Sequence, residues 1–272
     1  MKNSPPVLTK ILVPVDFSGL SETAARYACG FAGQTKAEVT LLHVVDSDVP
    51  AVVLSSRLEQ AQEGFRKLCR PTRGRPRSRM NIDYGVSEGL PFERMLEQYV
   101  QQHDMDLIIM GTKGPNALNS PLIGHNAAAV LSTCRVPVLL VPSGTKYRTI
   151  EHIAFFSRSH SKHEGMGMLA RFAQQLHAAT EVLYIGSPAL VKESEGIRKE
   201  LTEEFSFPEL GVAVRDGEPP EKVLESFLQE TRPDLLAIPR PQESFWDMLL
   251  GSNPSRTLSF HSGLPLLILH GE

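Results

Sequence analysis

Two stretches of this chain can be laid over one another without a gap, and nothing else in the sequence limits the fold as strongly. Leu12 to Val45 runs over Ile153 to Gly186, so that Ser18 meets Ser159, Phe31-Ala32 meets Phe172-Ala173, and Leu42-His43-Val44 meets Leu183-Tyr184-Ile185. Further along, Val86, Gly89, Pro91, Glu93 and Leu96 fall on Val214, Gly217, Pro219, Glu221 and Leu224, Asp106-Leu107 on Asp234-Leu235, and Pro137 on Pro265. Self-similarity on this scale marks a duplicated structural unit. Divided over 272 residues, it gives two domains of ordinary size, 1–145 and 146–272.

Each copy alternates short apolar runs with helical periodicity. Lys10 to Val15, Glu38 to Val45, Asp106 to Met110 and Val136 to Val141 have the composition of strands covered on both faces. Ser21 to Gly33, Phe92 to Gln102 and Asn126 to Thr133 carry apolar residues at helical spacing, for example Met95, Leu96 and Tyr99. Strands alternating with helices predict βαβ units and a mainly parallel sheet in each copy. Ligands of such sheets bind beyond the carboxyl ends of the strands, where strand order reverses. A site is therefore expected just after Val15, Val44 and Met110.

Composition excludes several classes. A net charge of −3 gives no general attraction to nucleic acid or to an anionic membrane. No apolar run reaches the roughly 18–20 residues of a bilayer span, and the start of the chain carries no secretory signal pattern. Cys29, Cys69 and Cys134 are odd in number and widely spaced, which argues against a disulfide framework or a zinc site and fits a reducing, cytoplasmic setting.

The expected site coincides with a glycine pattern. Gly111-Thr112-Lys113-Gly114 follows the third apolar run, nine residues intervene, and Gly124-His125-Asn126 opens a helix. Glycines there let backbone N–H groups approach an anion, and the helix start adds free donors and a favourable dipole. The same glycines also suit simple turn punctuation. The pattern is neither a Walker loop nor the dinucleotide fingerprint.

Gly-x-x-Gly, nine residues, then Gly and a polar residue resembles the ATP-binding loop of the universal stress protein family. Ile11 to Ser18 is similar to that family's first strand and acidic turn, Leu41 to Val44 to its second strand, and Val136 to Val141 to its last. The resemblance covers both copies. It implies tandem Rossmann-like α/β domains, each with a five-stranded mainly parallel sheet, paired through their last strands as an internal pseudo-dimer, with further homodimerisation open. It also implies a stress-response protein that binds ATP, ADP or AMP, with Mg accompanying the phosphates, and passes the binding state to a protein partner. By the same resemblance Pro14, Val15 and Asp16 would adjoin adenine and ribose, and Val44 the adenine edge. Met110 and Gly111 would approach the ribose and α-phosphate, and Gly114, Gly124, His125 and Asn126 the remaining phosphates. His125 departs from the Ser or Thr usual in the family's ATP binders. Slow ATP hydrolysis at the same loop, or a scaffold without nucleotide, are the alternative functions.

The second copy departs further. The gapless overlay puts Ser157 on Asp16, Pro239 on Gly111 and Gln242 on Gly114, leaving only Gly251-Ser252-Asn253. Pro239 lacks the N–H a phosphate would use, so this copy is expected to have lost the site. His160 and His163 have metal-pair spacing without a third ligand. Arg66 to Arg79 carries seven basic residues and no acid; it reads as a solvated connection, a polyanion patch, or a counterpart to the glutamates between Glu193 and Glu204.

Overall fold

The computed structural model describes residues 8–46, 50–68, 80–87, 91–113, 124–157, 164–216, 220–240 and 263–270. They divide into two compact units, one of residues 8–113 with 124–147 and one from 148 onward.

In the first unit β1 (Lys10–Pro14), β2 (Glu38–Asp46), β3 (Met80–Ser87), β4 (Leu107–Thr112) and β5 (Val138–Pro142) form a sheet in the order β3-β2-β1-β4-β5. All four neighbouring pairs are parallel. The central strands are apolar throughout because both faces are covered: Ile11, Leu12, Val13, Leu107, Ile108 and Ile109 are fully buried. Burial of each such side chain stabilises by about 1.5–3 kcal/mol. The first crossover helix, α1 (Gly19–Thr35), packs on β1, β4 and β5. Ser18 caps it, accepting from the Ser21 N–H, and Lys36 ends it in the left-handed region at φ 65°. The unit is completed by α2 (Ala51–Leu68), α3 (Phe92–His103) and α4 (His125–Thr133).

The second unit repeats this plan. The strands β6 (His152–Ser157), β7 (Ala179–Ile185), β8 (Leu210–Arg215), β9 (Leu235–Pro239) and β10 (Leu266–Leu269) lie in the order β10-β9-β6-β7-β8, all parallel. Its helices are α5 (Met166–Leu176), α6 (Pro188–Lys192), α7 (Ser194–Glu204) and α8 (Pro220–Thr231).

Hydrogen bonding identifies which residues correspond, and it corrects the gapless overlay. The Asp106 N–H donates to the Lys10 carbonyl, as the Asp234 N–H does to the His152 carbonyl. Asp106 Oδ2 accepts from the Thr9 and Lys10 N–H groups, and Asp234 Oδ2 from those of Glu151 and His152. Lys10 therefore corresponds to His152, and Ser157 to Val15. Ser157 is thus not the counterpart of Asp16, and Arg158, next in sequence, lies outside the described residues. The ladders also place Gly85 opposite Val44 and Arg215 opposite Ile185, so Val214 is not the counterpart of Val86. The repeat is real, but two insertions in its loops had been hidden by chance matches of similar residues.

The charged segments satisfy themselves locally. Arg66 and Lys67 reach Glu63 on α2, while Arg198 pairs with Glu195 and Lys199 with Glu203 on α7. The rest of the basic tract, 69–79, lies outside the described residues.

Candidate functional site

In the first unit the order β3-β2-β1-β4-β5 places a switch of crossover direction between β1 and β4. Because every pair is parallel, Pro14, Val44, Met110 and Gly111 lie toward one end of the sheet, along with the start of α1 and the residues that follow β1. Pro14 closes β1 opposite Leu42, and the buried Val15 donates its N–H to the Leu42 carbonyl. Val44 is half-buried in β2, while Met110 is buried in β4.

Asp16 is exposed, and its carboxylate is fixed by its neighbours. Oδ1 accepts from the Ser18 N–H at 3.0 Å and the Ser18 hydroxyl at 2.6 Å, and the Asp16 N–H donates to Ser21 Oγ at 3.3 Å. Partial burial pushes its pKa up, but the hydrogen bonds from Ser18 and Ser21 outweigh this and leave it below the ordinary carboxylate value. The turn requires the intervening Phe17 to adopt φ 61°, a left-handed conformation that costs a side chain roughly 1–2 kcal/mol.

The two described glycines of the loop serve different ends. A Cβ on Gly111 would lie 2.6 Å from the Leu20 carbonyl carbon, so Gly111 lets the first turn of α1 close onto β4. Gly124 is the N-cap of α4 at φ −66° and ψ 160°, a conformation open to any residue. A Cβ there would meet no described atom within 4 Å. Among the described residues, neither backbone geometry nor packing asks for glycine at 124. His125 and Asn126 follow as exposed residues of the first turn. The Ala128 N–H makes the first helical bond, to the Gly124 carbonyl, and the N–H groups ahead of it have no helical acceptor. Gly114 lies outside the described residues. No group of three or more His, Cys, Asp or Glu that could hold a metal occurs among the described residues.

The second unit rebuilds this edge. Lys36 and His177 are equivalent helix ends, both left-handed, yet α1 has 17 residues and α5 only 11. Pro239 stands where Gly111 does, pairing with Leu269 as Gly111 pairs with Val141. There α5 begins at Met166, with Gly165 (φ 78°) as its N-cap, and the residues 158–163 ahead of it lie outside the described residues. Arg240 follows Pro239 and donates to His270 Nδ1 at 3.4 Å. His160, His163, Gln242 and the Gly251-Ser252-Asn253 run lie outside the described residues.

Sequence reasoning missed the contribution of α2. Its Gly64 and Phe65 reach the Asp16 turn through Phe17, whose ring lies 4.8 Å from that of His43 and 5.0 Å from that of Phe65. Apolar residues at helical spacing up to Phe65 were the available signal.

Comparison with known proteins agrees with this architecture. Residues 8–142 match the Universal stress protein family model. The chain is 30% identical over 161 residues to universal stress protein MJ0531 of Methanocaldococcus jannaschii, covering 54% of this chain and 89% of that protein. It is 28% identical over 152 residues to universal stress protein MJ0577 of the same organism, covering 48% and 93%. The crystal structure of a universal stress protein from Archaeoglobus fulgidus shares the fold over 96% of both chains, with a TM-score of 0.67 and 14% identity. Among the described residues no helix is long and apolar enough to cross a membrane. Its repeated parallel units, its site-edge motifs and these relatives agree: the chain belongs to the universal stress protein family.

Proposed function

We propose that this protein binds ATP or a related adenine nucleotide, with Mg on the phosphates, at the carboxyl edge of the first domain, and acts as a cytoplasmic nucleotide-responsive module in the stress response. The observation that carries this reading is Gly124. No described atom lies within 4 Å of where its Cβ would stand, and it precedes a helix start whose first N–H groups have no helical acceptor. What a Cβ would obstruct there is a ligand approaching the backbone, and the chemistry offered is that of an anion-binding helix terminus. Met110 and Gly111 would adjoin the ribose and α-phosphate, and Gly114, His125 and Asn126 the outer phosphates.

Asp16 supports the nucleoside end. Its carboxylate is held ionised, and Oδ1 takes both Ser18 bonds, leaving Oδ2 for a ribose hydroxyl or adenine amino donor. Pro14, Val15 and Val44 would supply the apolar wall. With no protein cluster able to hold a metal among the described residues, Mg would arrive with the phosphates. The second domain, 146–272, would not share the function, since Pro239 stands in place of Gly111 and the sequence supplies Arg158, not an acid, after Ser157.

Calorimetric titration of ATP and Mg into the protein, beside Asp16→Ala and Gly124→Pro, tests this. Proline fits the φ of Gly124 while removing its N–H, and far-ultraviolet circular dichroism checks that the variant folds. One-to-one binding weakened in both variants is expected. No heat from protein first shown to carry no co-purified nucleotide would overturn the reading.

A further inference from the structure

We infer that Phe17 is a positioning residue: its ring, seated between His43 and Phe65 on the bare face of Gly64, holds the turn that aims the Asp16 carboxylate, and so ties the site to helix α2.

Phe17 stands between Asp16 and Ser18. At φ 61° it folds the chain back far enough for both the N–H and the hydroxyl of Ser18 to reach Asp16 Oδ1. A large side chain does not hold that backbone conformation without support. The support comes from two other elements. His43 on β2 lies tilted at 4.8 Å, and Phe65 on α2 meets the ring edge-on at 5.0 Å, a geometry favoured by aromatic quadrupoles. His43 is itself fixed, with Nδ1 2.7 Å from the carbonyl of Val15; as a carbonyl only accepts, this ring nitrogen carries the proton. Gly64 completes the seat, because a Cβ there would come within 2.5 Å of Phe17 Cδ1. Phe65 is buried and Phe17 half-buried.

The consequence is mechanical. Displacing the end of α2 removes the seat, frees the Phe17 backbone to leave the left-handed region, and breaks the Ser18 bonds to Asp16. Conversely, a ligand that needs Asp16 in place favours a docked α2. This coupling rests on the nucleotide reading only for the identity of the ligand; the turn itself belongs to the free protein.

The test uses the full chain with Gly64→Val, which blocks the seat, and Phe17→Ala, which removes the ring but keeps the cost of the left-handed backbone. The Asp16 carboxyl pKa is followed by carbon NMR in ligand-free protein, ATP affinity by calorimetry, and folding by far-ultraviolet circular dichroism. In both folded variants the Asp16 pKa should rise toward the ordinary carboxylate value, and ATP affinity should fall on the order of tenfold. If either variant folds with Asp16 titrating as in the wild type, the inference is overturned, whatever happens to affinity. A raised pKa in protein that binds no ATP even as wild type would sustain the positioning role and overturn the nucleotide reading alone. Should Gly64→Val fail to fold, the Phe17→Ala titration decides.

Discussion

Gly111 on β4 faces the carbonyl group of Leu20 on α1 so closely that a methyl group between them would stand 2.6 Å from the carbonyl carbon. The two copies differ at this position: the first has Gly111 beside α1, which begins at Gly19, and the second has Pro239 and a helix, α5, that begins at Met166. Gly111→Ala should therefore destabilise the first unit by about 1–3 kcal/mol through overpacking. Urea unfolding without nucleotide measures it; unchanged stability would return Gly111 to a purely ligand-directed role.

Gly124 should behave in the opposite way. Gly124→Ala puts a methyl group where no described atom lies within 4 Å, and the loss as an N-cap is only about 0.5–1 kcal/mol. Stability should stay close to the wild type while ATP affinity falls by about tenfold or more. Paired thermal unfolding and calorimetry read both quantities, and equal affinity would remove the observation on which the proposed function stands.

Asp106 and Asp234 make equivalent clamps of unequal strength. Asp106 Oδ2 accepts from the Thr9 N–H, the Thr9 hydroxyl and the Lys10 N–H at 2.8, 2.8 and 2.9 Å, whereas Asp234 Oδ2 accepts two N–H bonds at 3.0 and 3.1 Å. Asp106→Ala should cost about 1.5–3 kcal/mol, and Asp234→Ala less. Chemical denaturation of the two variants ranks them.

Glu181 gives the second unit a pH dependence. Burial pushes its pKa up, Arg215 pulls it back and Glu209 adds to the rise, with a net increase. Gly211 makes room for it, since a Cβ there would lie 2.5 Å from Glu181 Cδ. A carboxyl with a raised folded pKa contributes stability that is present below its unfolded pKa and lost as pH rises through the folded one. Glu181→Gln should flatten this loss and leave the protein more stable at neutral pH. Denaturant midpoints at pH 4.5 and 7.5 would show it, and a variant less stable at pH 7.5 would contradict it.

The sequence by itself determined the duplication, the parallel architecture and the edge where a ligand would bind. Fully covered strands such as Ile11-Leu12-Val13 advertise themselves as unbroken apolar runs, and the Asp106-Leu107 and Asp234-Leu235 pairs recur because both begin a central strand. It left β3 unread, because Met80–Ser87 alternates polar and apolar residues without an apolar run. It also misplaced the partner of Asp16 by one residue, since residue likeness cannot fix register where a loop has changed length; backbone hydrogen bonds can. Only the tertiary structure decided that Gly111 serves packing while Gly124 meets no described neighbour, and that a helix from a distant stretch seats Phe17. These depend on what lies across space from a missing side chain, a distance that no spacing along the chain encodes.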